Sequence, residues 1–283
     1  MPGGDGGELS MAEPTPPAPD LDPAFAAILE KYFAITRVPY DAFTRAFLGR
    51  CQSFSVKADG GVYKYYRRGA GPTVVLAHGI HSHLGSMVPI AEQLLDLGYE
   101  VVLFDMPAHG EAAGSGTDPV QVRDFIRKVC ARVGDIHAVV SHSLGGLWAL
   151  SAMHQGFRAD AFVSISTPST TRFLVEKFVQ LNQLDAAVET RLCAELERRY
   201  GATLWTDYAP RHIAGALDVP GLVIHGAKDD FVPPAHAREL HDAWPGATLE
   251  IVDGAGHFEI LGLAAVGRRV GAYLREVPVA AAA

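Results

Sequence analysis

The alternation of short apolar runs with helix-like segments constrains the fold more than any other feature of this sequence. It extends from about residue 61 to residue 275. The apolar runs predicted as strands are Cys51–Lys57, Gly61–Arg68, Thr73–Ala77, Glu100–Phe104, Ala138–Val140, Ala161–Ser164, Gly221–Ile224 and Thr248–Val252. The segments predicted as helices are Leu84–Leu97, Asp118–Val133, Leu144–His154, Pro234–Ala243 and Ile260–Leu274. Buried β-branched runs between amphipathic helices predict an α/β fold with a mostly parallel central sheet flanked by helices.

One interval interrupts this alternation, between the strand ending near Ile165 and the strand starting near Gly221. Apolar side chains recur there at helical spacing within a predicted helical stretch at about 170–200, at Leu181, Leu184, Val188, Leu192 and Leu196. Connections within compact domains usually span about two to six residues, so this one is long enough to be a separate element. We predict a small helical cap at 169–217, inserted into a core formed by 51–168 and 218–283.

The N-terminal part of the chain divides into two segments. Residues 1–22 are rich in Gly, Pro and acidic residues, a composition that predicts a disordered tail. Residues 23–50 carry two apolar stripes at helical spacing, separated by Pro39, which predicts two helices. These helices could pack on the main domain, cover the functional site or form a dimer contact, and the sequence leaves the three open.

Composition excludes several classes of protein. The 283 residues are 48% apolar and carry a net charge of -8, which disfavours a nucleic-acid-binding surface. The three cysteines show no CxxC spacing, and the histidines show no H-E-x-x-H pattern, so neither a disulfide framework nor a metal site is predicted. There is no dinucleotide- or nucleotide-binding motif, so we predict no cofactor. With no secretory signal and no membrane-spanning run, we expect a cytoplasmic monomer or homodimer.

A candidate nucleophile lies in the segment Ala138–Gly146, which reads as an apolar strand, a sharp turn and the start of a helix. This arrangement is typical of a nucleophile elbow, G-x-S-x-G. The tight turn needs small residues two positions before and after the nucleophile. Gly145 occupies the second position, whereas Ser141 stands at the first, where glycine is usual. Ser143 is the better candidate, because Ser141 still belongs to the strand.

Two more polar residues follow predicted strands. Asp229 comes after the run ending at Ile224, and His257 comes after the run ending at Val252. In an open α/β sheet the ligand crevice lies at the carboxyl ends of the strands. Serine, aspartate and histidine in this chain order, each after a predicted strand, match the order of nucleophile, orienting acid and base in one known class of enzymes. Asp230 is the alternative acid, and either carboxylate could instead cap the following helix.

Acyl chemistry also needs two backbone N–H donors that face the developing oxyanion. Leu144, directly after the candidate nucleophile, offers one such donor. Ile80, in the loop after the run ending at Ala77, offers the other. Four further residues are predicted to line the substrate pocket: His81, His142, Phe173 and Phe178.

Together these motifs resemble the α/β-hydrolase superfamily over about residues 60–275. The loop Phe104–Gly110 is also similar to the D-x-P-x-H-G loop of many members, in which it is mainly structural. Within the superfamily the chain resembles bacterial esterase-like hydrolases with a short helical cap. The resemblance implies an α/β-hydrolase fold and a catalytic triad of Ser143, Asp229 and His257.

The predicted function is that of a serine hydrolase cleaving a small-molecule ester or thioester through an acyl-enzyme on Ser143. Two alternatives use the same fold. The triad could pass the acyl group to another acceptor, as an acyltransferase or cyclase, or the protein could bind a small molecule without catalysis. A dehalogenase is disfavoured, because its nucleophile would be an aspartate.

Overall fold

The computed structural model describes residues 21–59 and 61–280, so positions 1–20 of the predicted tail lie outside the described residues. Within this range the chain forms one eight-stranded sheet. Its strands are β1 Gln52–Ala58, β2 Gly61–Arg68, β3 Thr73–Ala77, β4 Glu100–Phe104, β5 Ala138–His142, β6 Ala161–Ile165, β7 Gly221–Gly226 and β8 Thr248–Val252. The predicted strand bounds differ from these by no more than two residues at either end.

The strand order is β1-β2-β4-β3-β5-β6-β7-β8. β2 pairs antiparallel with both β1 and β4, whereas every pair from β4 to β8 is parallel. The carboxyl ends of β5, β6, β7 and β8 therefore open onto one edge of the sheet. The predicted fold class, a mostly parallel sheet flanked by helices, is confirmed.

The described residues also contain eleven α-helices. They are α1 Pro23–Phe33, α2 Ala42–Leu48, α3 Val88–Asp96, α4 Pro119–Val133, α5 Leu144–His154, α6 Arg172–Leu181, α7 Ala186–Tyr200, α8 Leu204–Asp207, α9 Pro210–Ala214, α10 Ala235–Ala243 and α11 Ala264–Glu276. Short 3₁₀ helices at Leu84–Met87 and Glu259–Gly262 precede α3 and α11. α3 begins at Val88 because Pro89 lacks an N–H and is tolerated only in the first helical turn. In these described parts no helix is long and apolar enough to span a bilayer.

Helices cover both faces of the sheet. Successive residues of β3 point to opposite faces: Val75 packs into a cluster with Phe125 of α4, and Val74 packs into a second cluster with Ile90 of α3. All five residues of β3 and all five of β5 are buried. Burial on both faces explains why these strands read as continuous apolar runs rather than as alternating ones.

The long connection between β6 and β7 contains α6, α7, α8 and α9 rather than one continuous helix. α6 ends at Leu181, and Gln183 has a positive φ of 53°. α7 then starts with a new cap, in which the Asp185 carboxylate accepts a hydrogen bond from the Val188 amide at 2.9 Å. The predicted helical stretch at about 170–200 is therefore divided into two helices, the second of which has its own N-cap at Asp185.

Candidate active site

Ser143 lies in the turn between β5 and α5. Its φ of 52° and ψ of -128° are unusual for a residue with a side chain. The Ser143 amide donates a hydrogen bond to the Ile165 carbonyl at 2.9 Å, which ties this turn to the end of β6. Such strained backbone persists only where the surroundings hold it, and it is found most often at functional sites.

The residues around the turn are small because other backbone passes close by. A Cβ on Gly145 would stand 2.3 Å from the His78 carbonyl oxygen, so the close approach of α5 to the loop after β3 requires glycine. Ser141 is fully buried within β5, and its Oγ donates to the Val163 carbonyl at 3.1 Å. The Ser141 hydroxyl is thus engaged inside the sheet, whereas Ser143 lies beside His257.

Two loops bring the acid and the histidine together. Asp229 follows β7 and His257 follows β8, and the loops are joined by a hydrogen bond from the Lys228 amide to the Ala255 carbonyl at 2.9 Å. A Cβ on Gly226 would come within 2.4 Å of the Ala255 carbonyl oxygen. Glycine at the end of β7 therefore permits the contact between the two loops.

Ser143, His257 and Asp229 form a continuous chain of hydrogen bonds. The Ser143 Oγ lies 3.1 Å from Nε2 of His257, and Nδ1 of the same ring lies 2.7 Å from Oδ2 of Asp229. With its proton on Nδ1, the imidazole donates to the carboxylate and accepts from the serine hydroxyl. Asp230 is exposed and takes no part in this chain. All three linked side chains are buried, at 6% relative exposure or less.

The Asp229 carboxylate has further donors that sequence reasoning missed. Its Oδ1 accepts from the amides of Phe231 at 3.1 Å and Val232 at 2.7 Å. Nε2 of His225 lies 3.3 Å from Oδ2, and also 2.7 Å from the Val232 carbonyl. Burial alone would raise the pKa of Asp229, but the hydrogen bonds from His225 and His257 hold it well below the usual range. The one sequence signal for His225 is its position at the end of a strand, four residues before Asp229.

A cavity of about 210 Å³ lies beside the Ser143 turn. Its wall includes Ile80 and Leu144, the residues predicted to supply the oxyanion donors. Most of the remaining lining is apolar or aromatic, at Tyr32, Phe33, Leu147, Trp148, Phe173, Leu174, Phe178, Leu181, Leu196, Tyr200, Leu204, Tyr208 and Phe231. A concave, mostly apolar site with a few polar groups in its lining is typical of a small-molecule pocket.

The structure separates the four residues predicted to line the pocket. His81, Phe173 and Phe178 lie in the cavity wall. His142 is not among the residues of that wall. Its ring is buried against the His257 ring, with centroids 4.8 Å apart, and its Nε2 lies 2.9 Å from the His257 carbonyl oxygen. As the last residue of β5, it holds the loop that carries His257.

The first helix also reaches the cavity. Tyr32 and Phe33, at the end of α1, lie in its wall. Of the three arrangements that the sequence left open for this segment, the structure shows α1 packed on the core and bordering the cavity. The apolar stripe of α1 predicted a buried face without indicating what that face would contact.

Three buried histidines surround the site. Removal from water disfavours the charged imidazolium, and burial lowers the pKa of His78 to about 4 and those of His109 and His142 to about 3. His78 accepts a hydrogen bond from the Met106 amide at 3.1 Å, as a neutral ring does. Within residues 21–59 and 61–280, no three His, Cys, Asp or Glu side chains are grouped to hold a metal ion.

These histidines predict a loss of stability in mild acid. In the unfolded state these histidines have an ordinary pKa of about 6.5. Below that pH the unfolded state therefore binds more protons than the folded state. Between pH 6.5 and 5, each should therefore lower the free energy of unfolding by about 2 kcal/mol. Chemical unfolding at the two pH values measures the slope. His109→Gln should make the slope shallower than that of the wild-type protein, and an equal slope in the two proteins would contradict the prediction.

Comparisons with known proteins place these features in a family. A sequence profile of the alpha/beta hydrolase family matches residues 74–265. Among curated proteins, a pimeloyl-[acyl-carrier protein] methyl ester esterase of Xanthomonas campestris pv. campestris is 29% identical over 236 residues, covering 69% of this chain and 91% of the relative.

Solved structures show the same fold. An esterase from Pyrococcus furiosus aligns with a TM-score of 0.68 at 19% identity, over 87% of this chain and 97% of the other. An esterase from Exiguobacterium antarcticum aligns with a TM-score of 0.62 at 18% identity, over 79% of this chain and 100% of the other. With a profile that matches most of its length and a sheet that carries serine, aspartate and histidine after β5, β7 and β8, the chain belongs to the alpha/beta hydrolase family.

Proposed function

We propose that this protein is a serine hydrolase that cleaves carboxylic esters through an acyl-enzyme. Ser143 is the nucleophile, His257 the general base, and Asp229 the carboxylate that orients His257. The observation that carries the proposal is the hydrogen-bonded chain from the Ser143 Oγ through His257 to Asp229. The esterase names of the relatives agree with ester hydrolysis as predicted from the sequence.

In the first half of the reaction, the Ser143 Oγ attacks the ester carbonyl carbon while its proton passes to Nε2 of His257. The carbonyl oxygen becomes an oxyanion, and the backbone N–H groups of Ile80 and Leu144 are proposed to stabilise it. The carbon–oxygen bond to the leaving alcohol then breaks, and His257 returns the proton to that alcohol. Asp229 keeps the His257 ring in the tautomer that this sequence of transfers needs.

In the second half, His257 takes a proton from water, and the resulting hydroxide attacks the acyl carbon on Ser143. The ester bond to the Ser143 Oγ breaks, the serine recovers its proton, and the carboxylic acid leaves. A thioester follows the same course with a thiol as the leaving group.

The cavity indicates the class of substrate. Its lining is largely aromatic and aliphatic, and removing apolar groups from water contributes about 25 cal/mol for each Å² buried. We therefore propose a small-molecule ester with an apolar acyl group, which enters beneath a cap at 169–217. The cytoplasmic location and the monomeric or homodimeric state stay predictions.

Labelling with a fluorophosphonate tests the proposal directly. We expect stoichiometric modification of Ser143 in the folded protein, together with release of free acid from p-nitrophenyl esters. No label on Ser143 would contradict the proposed nucleophile and favour the non-catalytic alternative. Products other than the free acid, formed when alcohols or amines are added, would instead assign the protein to acyl transfer.

A further inference from the structure

The N-terminal segment supplies part of the cavity wall from outside the family profile, which begins at Val74. We propose that α1 and the residues that follow it form a fixed roof over the acyl cavity. In this proposal Tyr32 and Phe33 limit the length of the apolar acyl chain that the site accepts. The inference rests on the proposed function, because it assigns the cavity to the acyl group of the substrate.

The first support is the contact between the roof and the cap. Tyr32 meets Phe178 of α6 edge to face, with ring centroids 5.1 Å apart. Phe33 meets Tyr200 of α7 in the same manner, at 6.4 Å. All four side chains line the cavity, so α1 and the cap helices together close one side of it. Edge-to-face aromatic pairs have a defined geometry, and the width of the cavity here is set by these rings.

The second support is the anchoring of α1. Phe25 and Leu29 are buried in the core cluster that also contains residues of α5 and α7. Asp22 pairs with Arg191 of α7 at 2.6 Å, and the Arg191 guanidinium lies 4.1 Å from the centre of the Phe25 ring. An exposed ion pair contributes little to stability, so burial of the two apolar side chains is the main cause of docking.

The third support is the path of the chain after α1. The Thr117 amide donates to the Phe33 carbonyl at 2.8 Å. Three residues further on, the Thr36 amide donates to Nδ1 of His81 at 3.2 Å. His81 directly follows Ile80, the proposed oxyanion donor, and has a positive φ of 53°. The roof is therefore connected by hydrogen bonds to the loop that would hold the reacting carbonyl group.

A fixed roof predicts selection by length. In an apolar pocket a single methylene group changes the preference for a substrate by about 10–200-fold. An acyl chain that reaches Tyr32 and Phe33 can become longer only if these rings move or are removed. Close packing makes that movement costly, because overfilling a packed site forces side chains out of their preferred rotamers.

The test compares kcat/KM for p-nitrophenyl esters from acetate to dodecanoate. We expect Tyr32→Ala and Phe33→Ala to shift the optimum toward longer chains and to raise the ratio of long-chain to optimal-chain kcat/KM by about tenfold. Tyr32→Trp should shift the optimum toward shorter chains, a change that partial unfolding does not produce. Phe43→Ala, on an exposed part of α2, is the matched control. An unchanged length profile in all three roof variants would overturn the proposal.

Binding without turnover separates this proposal from the proposed function. The Ser143→Ala protein is the parent in this experiment, and calorimetry measures its affinity for decanoate. We expect the added Phe33→Ala substitution to make decanoate bind more tightly than it binds the parent. The added Phe43→Ala substitution should leave the affinity equal to that of the parent. This result supports the roof even if the wild-type protein hydrolyses no ester. Normal ester hydrolysis with no effect of the roof variants on either binding or chain length would overturn the roof and leave the proposed function standing.

Discussion

Replacing Ser143 with alanine is expected to lower kcat for a p-nitrophenyl ester by about 10⁴–10⁶-fold. Alanine removes the only atom that can form the acyl-enzyme in the proposed scheme, while the apolar cavity and the oxyanion donors stay in place. KM should change much less than kcat, because substrate binding does not need the hydroxyl. Steady-state kinetics and intact mass after fluorophosphonate treatment provide the two measurements.

Ser141→Ala is the matched control for this experiment. It makes the same chemical change two residues earlier, where the Oγ donates only to the Val163 carbonyl within the sheet. Loss of that hydrogen bond is expected to cost about 1 kcal/mol of stability and to leave kcat nearly unchanged. Retained activity in Ser143→Ala, or a comparable loss of activity in Ser141→Ala, would show that Ser143 is not the nucleophile.

Replacing Asp229 with asparagine has the second largest expected effect, a fall in kcat of about 10⁴-fold. Oδ2 receives a hydrogen bond from Nδ1 of His257 and faces Nε2 of His225. An amide NH₂ turned toward His257 would force the imidazole proton onto Nε2, and the ring could no longer accept the proton of Ser143. The variant should still fold and react slowly.

The neighbouring carboxylate supplies the control. Asp230→Asn removes the same charge from an exposed side chain one residue further on, and we expect its kcat to match that of the wild type. The pKa of Asp229 lies below its usual range, so the carboxylate stays ionised as the pH falls through 4. If the activity of the wild-type protein falls near neutral pH, protonation of Asp229 should therefore not be the cause. Equal kinetics for the two asparagine variants would rule out the orienting role of Asp229.

Most of the sheet could be predicted from local pattern. β5 and β7 are buried along their whole length, and runs of Val, Ile and small residues are typical of such strands. The predicted strand at Ala138–Val140 is two residues shorter than the observed one, which ends at His142. The apolar run itself ends at Val140, because the two strand residues that follow it, Ser141 and His142, are polar although both are buried.

The positions of Ser143, Asp229 and His257 followed from topology together with pattern. In a parallel sheet all strands have their carboxyl ends at the same edge, so the polar residues that follow β5, β7 and β8 lie at one edge of the sheet. The structure brings all three within hydrogen-bonding distance along one chain. The pattern could not determine which further side chains would join them. His225 faces Asp229 only because β7 and its following loop place the two side chains together.

The sequence by itself determined the mostly parallel α/β sheet and the edge where serine, aspartate and histidine meet, because strand burial is encoded locally and helices between strands imply parallel pairing. Only the tertiary structure decided that His142 contacts the loop that carries His257, and that α1 forms part of the cavity wall. Both outcomes depend on contacts between residues more than a hundred positions apart. An apolar stripe predicts that one face of a helix will be buried. The surface that covers this face forms only when helices from distant parts of the chain have packed together.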